Sequence, residues 1–176
     1  STQISQSYLE LEERVAERTR DLERRSEYLR AAAEVGQATN EILDLDELLR
    51  RSAELIRQHF NLYYVGLFLV DEAGEWAVLQ AGTGEAGKAM LARGHRIRVG
   101  EGMIGWSVEN AQARVAEDVG GDAVRLATAE LPDTRSEAAI PLRARGEVLG
   151  ALTVHDSAPQ AFDEAVLSIL QIVADQ

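Results

Sequence analysis

Apolar or small residues in the first 43 positions recur at alternating steps of four and three: Ile4, Tyr8, Leu11, Val15, Leu22, Leu29, Ala32, Gly36, Thr39 and Leu43, with Arg18 and Arg25 filling the two missing places. That is a heptad seam with two polar insertions, and no Pro interrupts it. Pairs such as Glu10–Arg14 and Asp21–Arg25 have the spacing that supports an exposed helix face. A helix of that length spans roughly 60 Å at 1.5 Å per residue, more than the diameter of a small domain. Its first half therefore needs a partner, which a parallel dimeric coiled coil supplies. Asp44 to Asp46 breaks the pattern and offers an N-cap. A second helix is predicted over about Asp46 to Phe60, turning Leu48, Leu49, Ala53, Leu55 and Ile56 toward a core.

Beyond Phe60 the period changes. Leu62 to Val70 reads as a strand dense in aromatic and aliphatic residues, and Asp71-Glu72-Ala73-Gly74 turns it into a second strand, Trp76 to Ala81. A glycine-rich loop leads into a short helix at Lys88–Ala92. Arg96–Val99 is a brief strand, and the glycines of GEGMIGW permit tight entry into a helix that ends near Asn110. Ala113–Val115 is another brief strand. The acidic, irregular stretch Glu117–Leu131 has a length that is functional or mobile inside a compact domain. Ser136–His155 then holds two apolar runs, Ala138–Leu142 and Val148–Val154, around the polar link Arg143–Glu147. This is an antiparallel hairpin near the middle of a sheet, with Pro141 predicting a local break in pairing. A last helix opens at Phe162-Asp163-Glu164 with Val166, Ile169, Leu170 and Val173 inward or seam-facing. No terminator precedes Gln176, so it is expected to continue in a parent protein.

Composition narrows the chemistry. Apolar content of 45% in 176 residues supports a real core in one domain plus an appendage. The net charge of −12 argues against nucleic acid, which needs a basic face. Residues 1–30 hold seven acids and six arginines, so nearly all the excess acid lies in the remainder. With no cysteine, disulfides, thiolate nucleophiles and cysteine zinc sites are absent together. No apolar run reaches the 18–20 or so residues that span a bilayer, so no direct membrane contact is expected.

One motif is a decoy. Gly82–Ala89, GTGEAGKA, matches a phosphate-binding loop up to Lys88, but Ala89 stands where a magnesium-binding hydroxyl is required, and a hairpin precedes it. No Ser-His-Asp constellation is suggested, no metal-ligand spacing accompanies Glu117-Asp118, and no metal or cofactor is expected. His59, His95 and His155 read as surface or structural residues.

In order, the Leu62–Val70 strand, GEGMIGW (Gly100–Trp106), VAEDV (Val115–Val119), the Ser136–His155 hairpin and AFDE before the last helix resemble a GAF domain, the sensory module of bacterial histidine kinases and related regulators. LEERVAERTRDLERRSEYL, Leu11–Leu29, resembles the linker helices that precede such domains. The resemblance implies an α+β fold, a central antiparallel β-sheet flanked by helices, behind a long N-terminal coiled-coil helix. The division expected is a linker helix at 1–30 and a GAF domain at 31–176. The resemblance also implies a homodimer through the N- and C-terminal helices, at Ile4, Tyr8, Leu11, Val15, Leu22, Leu29, Val166, Ile169 and Val173. Bilin-binding members use a cysteine, so no covalent bilin is expected. Free-methionine-sulfoxide reductases of this fold also use cysteines, which implies a non-catalytic fragment, with any enzymatic output in a histidine-kinase-like parent. The Asn-Lys and Phe-x-x-x-Asp-Glu signature of cyclic-nucleotide binders is not met, since Phe162 is followed at once by Asp163-Glu164.

Two functions are then expected in competition. One is a cytoplasmic sensory module that binds an unidentified small molecule, with Arg96, Arg98, Trp106, Asp118, Arg135 and Ser136 as contacts chosen by resemblance and polarity. The other is a ligand-free dimerising spacer that relays a signal. A membrane anchor elsewhere in the parent is compatible with either.

Overall fold

The computed structural model describes the backbone at residues 2–122 and 124–175, and within these all side chains except those of residues 2–4 and 39–43. Ile4, Thr39 and Leu43 of the seam thus lie outside the described side chains. Among the described residues the α-helices and strands follow in the order α1 (Thr2–Phe60), β1 (Tyr64–Val70), β2 (Trp76–Gly82), α2 (Gly84–Ala92), β3 (Arg96–Arg98), α3 (Gly102–Asn110), β4 (Arg114–Ala116), β5 (Ser136–Ala144), β6 (Glu147–Asp156) and α4 (Glu164–Ala174), with a short 3-10 turn at Val119–Gly121 after β4.

The break predicted at Asp44–Asp46 does not form, because α1 is one helix from Thr2 to Phe60. Neither Gly nor Pro occurs there to stop it, and aspartate costs a helix interior only a fraction of a kcal/mol. The chain nonetheless divides into two compact units between Leu45 and Asp46. In the first unit Tyr8, Leu11, Val15, Leu22 and Leu29 are all exposed.

In the second unit the strands form one antiparallel sheet in the order β3-β2-β1-β6-β5-β4. The β5–β6 hairpin sits inside it, joined by Arg145-Gly146. Both of these residues have positive φ, as a two-residue type I′ turn requires. The β4 ladder ends at Ala139, so Pro141 lies beyond it with no strand on its outer edge, and the register of β5 shifts at Leu142/Arg143. Pro141 itself stays paired with Ala151 of β6, so pairing is missing only on the β4 side and the irregularity falls just after it.

Alternation sends the two sides of each strand into different cores. On one face Val65, Leu67, Ala138, Ile140, Leu152 and Val154 meet Ala53 and Ile56 of α1 and Leu170 and Ala174 of α4. Asp163 caps α4 by accepting from the Val166 N–H at 2.9 Å. On the other face Tyr64, Phe68, Leu79, Ala139 and Ala151 meet Met90 of α2, Met103 and Ile104 of α3, and Leu131. Each fully buried Leu, Ile or Val contributes about 1.5–3 kcal/mol.

Helix α2 begins four residues before the predicted Lys88, and its packing explains the decoy glycines. A Cβ on Gly82 would stand 2.7 Å from the Tyr64 hydroxyl, and one on Gly87 would overlap the Gly82 carbonyl. The glycine spacing lets α2 lie against β1 and β2 with no phosphate involved. Gly87→Ala is expected to lower stability by about 1–3 kcal/mol through overpacking, read as a lower urea midpoint with unchanged m-value.

Candidate functional site

The short strand β3 forms one edge of the sheet, with Trp76 opposite Arg98 and Val78 opposite Arg96. Arg96 and Arg98 are two residues apart and so share a side. Their guanidinium carbons stand 3.9 and 5.3 Å from the Trp76 ring centroid. The chain then turns sharply into α3, with Gly100 N–H donating to Gly105 O and Glu101 N–H to Arg98 O, at 2.9 and 3.0 Å. A side chain at Gly105 would collide with the Arg98 carbonyl, so the GEGMIGW glycines serve the close approach of α3 to β3.

Opposite β3, residues Leu126–Ala129 of the long β4–β5 loop form a second wall, enclosing a cleft of about 380 Å³. Arg93, one of the lining residues, is ion-paired with Glu130. His95 is half-buried in the cleft and edge-on to Phe68 at 5.7 Å. Burial first, and the Arg93 charge second, push its imidazole below the ordinary histidine value, so it is neutral at neutral pH.

The same loop covers a buried polar row that three neighbouring strands assemble. Tyr64 of β1 lies opposite His155 of β6, which lies opposite Glu137 of β5. Glu137 is 3% exposed and His155 2%. Arg125 donates from Nε to Glu137 Oε2 at 2.6 Å, and His155 Nε2 stands 3.2 Å from Oε1. Thr134 Oγ1 donates to Leu131 O and stands 3.0 Å from His155 Nδ1. Burial acts to raise the Glu137 pKa, but hydrogen bonding and charge from His155 and Arg125 outweigh it, and the carboxyl is held below its ordinary value. Burial, reinforced by Glu130, pushes the Tyr64 phenol upward, so it stays protonated. The Tyr64 hydroxyl and Thr153 Oγ1 are buried with no hydrogen-bond partner among the described residues.

The six predicted contacts fall in three places. Arg96 and Arg98 share the cleft. Trp106 on α3 is half-buried under Arg114, 4.9 Å from the ring centroid, and Arg114 is bound in turn to Asp122. Asp118 and Arg135 form an exposed pair at 3.1 Å, while Ser136 is buried and donates to Ala158 O at 2.7 Å. Of the predicted interface residues in α4, Val166 leans on the core, and Ile169 and Val173 are exposed beside Ile172. Sequence reasoning passed over Arg125, Glu137 and His155 as a group. Counting pairs outward from the Arg145-Gly146 turn sets Glu137 opposite Val154, and only the register shift at Leu142/Arg143 brings it opposite His155.

The GAF domain pattern matches residues 44–176, the sheet and all the helices that pack on it. The chain belongs to the GAF domain family. GAF domain-containing protein A of Dictyostelium discoideum is 30% identical over 129 residues, 73% of this chain and 75% of that protein. The GAF domain of a phosphoenolpyruvate-protein phosphotransferase from Coxiella burnetii superposes with a TM-score of 0.65 at 23% identity, covering 79% of this chain and 84% of that one. A free methionine-R-sulfoxide reductase from Neisseria meningitidis, solved in complex with its substrate, does so with a TM-score of 0.62 at 25% identity, covering 73% and 72%. This last similarity corrects the expectation of a non-catalytic fragment. GAF-fold enzymes stand among the structures this GAF domain is similar to, so fold gives no ground for excluding catalysis. The absence of cysteine bears only on thiol chemistry.

Replacing Glu137 by Gln leaves Arg125 buried without its counter-charge and is expected to cost about 3–5 kcal/mol in chemical denaturation. The folded pKa lies below the unfolded one, so the ionised Glu137 stabilises fully above roughly pH 4.3. That contribution is lost as pH falls through the depressed folded value. Acid titration of stability should therefore be shallower in Glu137→Gln than in the native chain.

Proposed function

We propose that this GAF domain is a sensory module: a small molecule occupies the cleft between β3, α3 and Leu126–Ala129, and its binding is passed to the helices on the opposite face of the sheet. The single observation that carries this reading is a polar-walled cleft whose elements are tied by hydrogen bonds to the far face. Arg143 of β5 donates to the Ala111 carbonyl at the end of α3, and Gln171 of α4 donates to the Pro141 carbonyl of β5 at 3.3 Å. A ligand shifts such a chain only by binding two of its arrangements with different affinity.

The reading extends to a homodimer. The exposed seam Tyr8, Leu11, Val15, Leu22 and Leu29, together with Ile169 and Val173 on α4, supplies apolar stripes for a second copy. It also extends to a cytoplasmic setting in a histidine-kinase-like parent of a two-component system, with the seam helix as linker. Among the described residues no helix is long and apolar enough to cross a membrane. One observation favours the competing reading of a ligand-free relay spacer: the sheet face behind the cleft is filled by Phe68, Met90, Met103, Ile104 and Leu131.

A thermal-shift screen of small metabolites separates the two. The sensory reading expects at least one compound to raise the melting temperature with concentration, by about 2.7 kcal/mol of stabilisation at a hundredfold excess over Kd. A spacer shows no response across the library. Light scattering is expected to give twice the chain mass for the native protein, and half that value for the Leu11→Asp, Leu22→Asp double variant.

A further inference from the structure

Resting on that sensory reading, the geometry points to the class of ligand: we propose that the cleft takes a small organic anion by one oxyanion group, phosphoryl or carboxylate, held between the guanidinium groups of Arg96 and Arg98.

The argument begins with charge. The chain carries a net −12, yet Arg93, Arg96 and Arg98 fall within six residues at one edge of the sheet. Arg93 is neutralised by Glu130. Among the described residues Arg96 and Arg98 have no carboxylate in ion-pair range, although two like charges on alternate residues of one strand stand only about 6–7 Å apart. Of the remaining lining groups His95 is neutral, Thr128 offers a hydroxyl, and Glu101 is the one unpaired carboxylate, so with Arg93 held by Glu130 the two arginines still leave the lining net positive.

Position supports the same assignment. The negative face of the Trp76 ring attracts both cations and limits their rotamers, so the pair is held before any ligand arrives. Guanidinium groups present planar donor forks that match oxyanion geometry, and a shared anion between them removes their mutual repulsion. The cleft's 380 Å³ falls within the size range of small-molecule sites, which leaves room for an organic body beside the anionic group. A second polar groove of this unit has no such feature. It is lined by Asp46, Arg50, Glu54 and Lys88, where Arg50 pairs with Glu47 and Lys88 with Glu85.

The test uses Trp76 as its own reporter. The sequence has two tryptophans, so Trp106→Phe leaves Trp76 alone, and Trp106 is not part of the cleft. Inorganic phosphate and, in a separate arm, succinate are titrated at constant ionic strength, with sodium chloride as control. At least one anion is expected to change Trp76 emission saturably, and the arm that responds names phosphoryl or carboxylate. Arg96→Gln with Arg98→Gln should weaken that response at least tenfold. Arg96→Lys with Arg98→Lys keeps the charge but removes the forks and should weaken it by a smaller factor. A response equal to that of chloride, or one unchanged in both double variants, overturns the assignment. If neutral or cationic metabolites shift Trp76 while both anions do not, the ligand class is wrong and the sensory reading stands. If no compound of any charge does, both fall together.

Discussion

A carboxylate buried under a loop obliges that loop to bring a cation. Glu137 enters the sheet almost wholly out of water, and only Arg125 and His155 make its ionised form tolerable there. His155 reaches it from the adjacent strand by register alone, whereas Arg125 must come from the irregular connection between β4 and β5. Pinning Arg125 pins the connection, which is secured again where Thr134 meets His155, Asp122 meets Arg114, and Glu130 meets Arg93. The wall of the candidate cleft is the outer surface of this same connection. Its position follows from the solvation of one buried charge.

The sheet separates two kinds of surface. Behind it, Ala53, Ile56, Leu170 and Ala174 form an apolar contact that is closed to water. In front, apolar packing is interrupted by the row Tyr64, His155 and Glu137, and by two hydroxyls left without partners. Polar atoms without partners in a core are costly, by about 1–3 kcal/mol each. Their concentration on one face makes that face the less rigidly determined of the two. Arg143 and Gln171 then join the faces through backbone carbonyls, the contacts on which the proposed relay from α3 to α4 rests.

Much of this arrangement was legible in the order of residues, because period and turn chemistry are local. The β5–β6 hairpin, its alternation and the break near Pro141 followed from two apolar runs, a Gly and a Pro. Where local signals competed with tertiary ones, the reading failed or stopped short. Asp44–Asp46 looks like a helix start only if the preceding helix has ended, and nothing local ends it. The α2 start was missed because Gly84 and Gly87 read as loop, whereas Gly84 takes a positive φ at the helix start and Gly87 lets the helix sit on Gly82. The candidate site suffered most. Arg96 and Arg98, chosen by resemblance and polarity, lie together in the cleft, whereas Trp106, Asp118, Arg135 and Ser136 have partners of their own elsewhere, set by folding of a connection that has no period to read.

The proposed anion site depends on the side chains that line the cleft, and the charges of this chain lie unevenly there. An excess of twelve negative charges makes the protein a poor attractor of anions at long range, since its mean field repels them. Selection at the cleft must then come from short-range groups, within the Debye length of about 8 Å at physiological ionic strength. Arg96 and Arg98 on Trp76 are such groups: both beside one ring and, among the described residues, without an ion-pair partner. A site of this kind gains specificity from the surrounding acidity. Weakly held anions are turned away, and only one that meets both guanidinium forks at once offsets the repulsion of the rest of the chain.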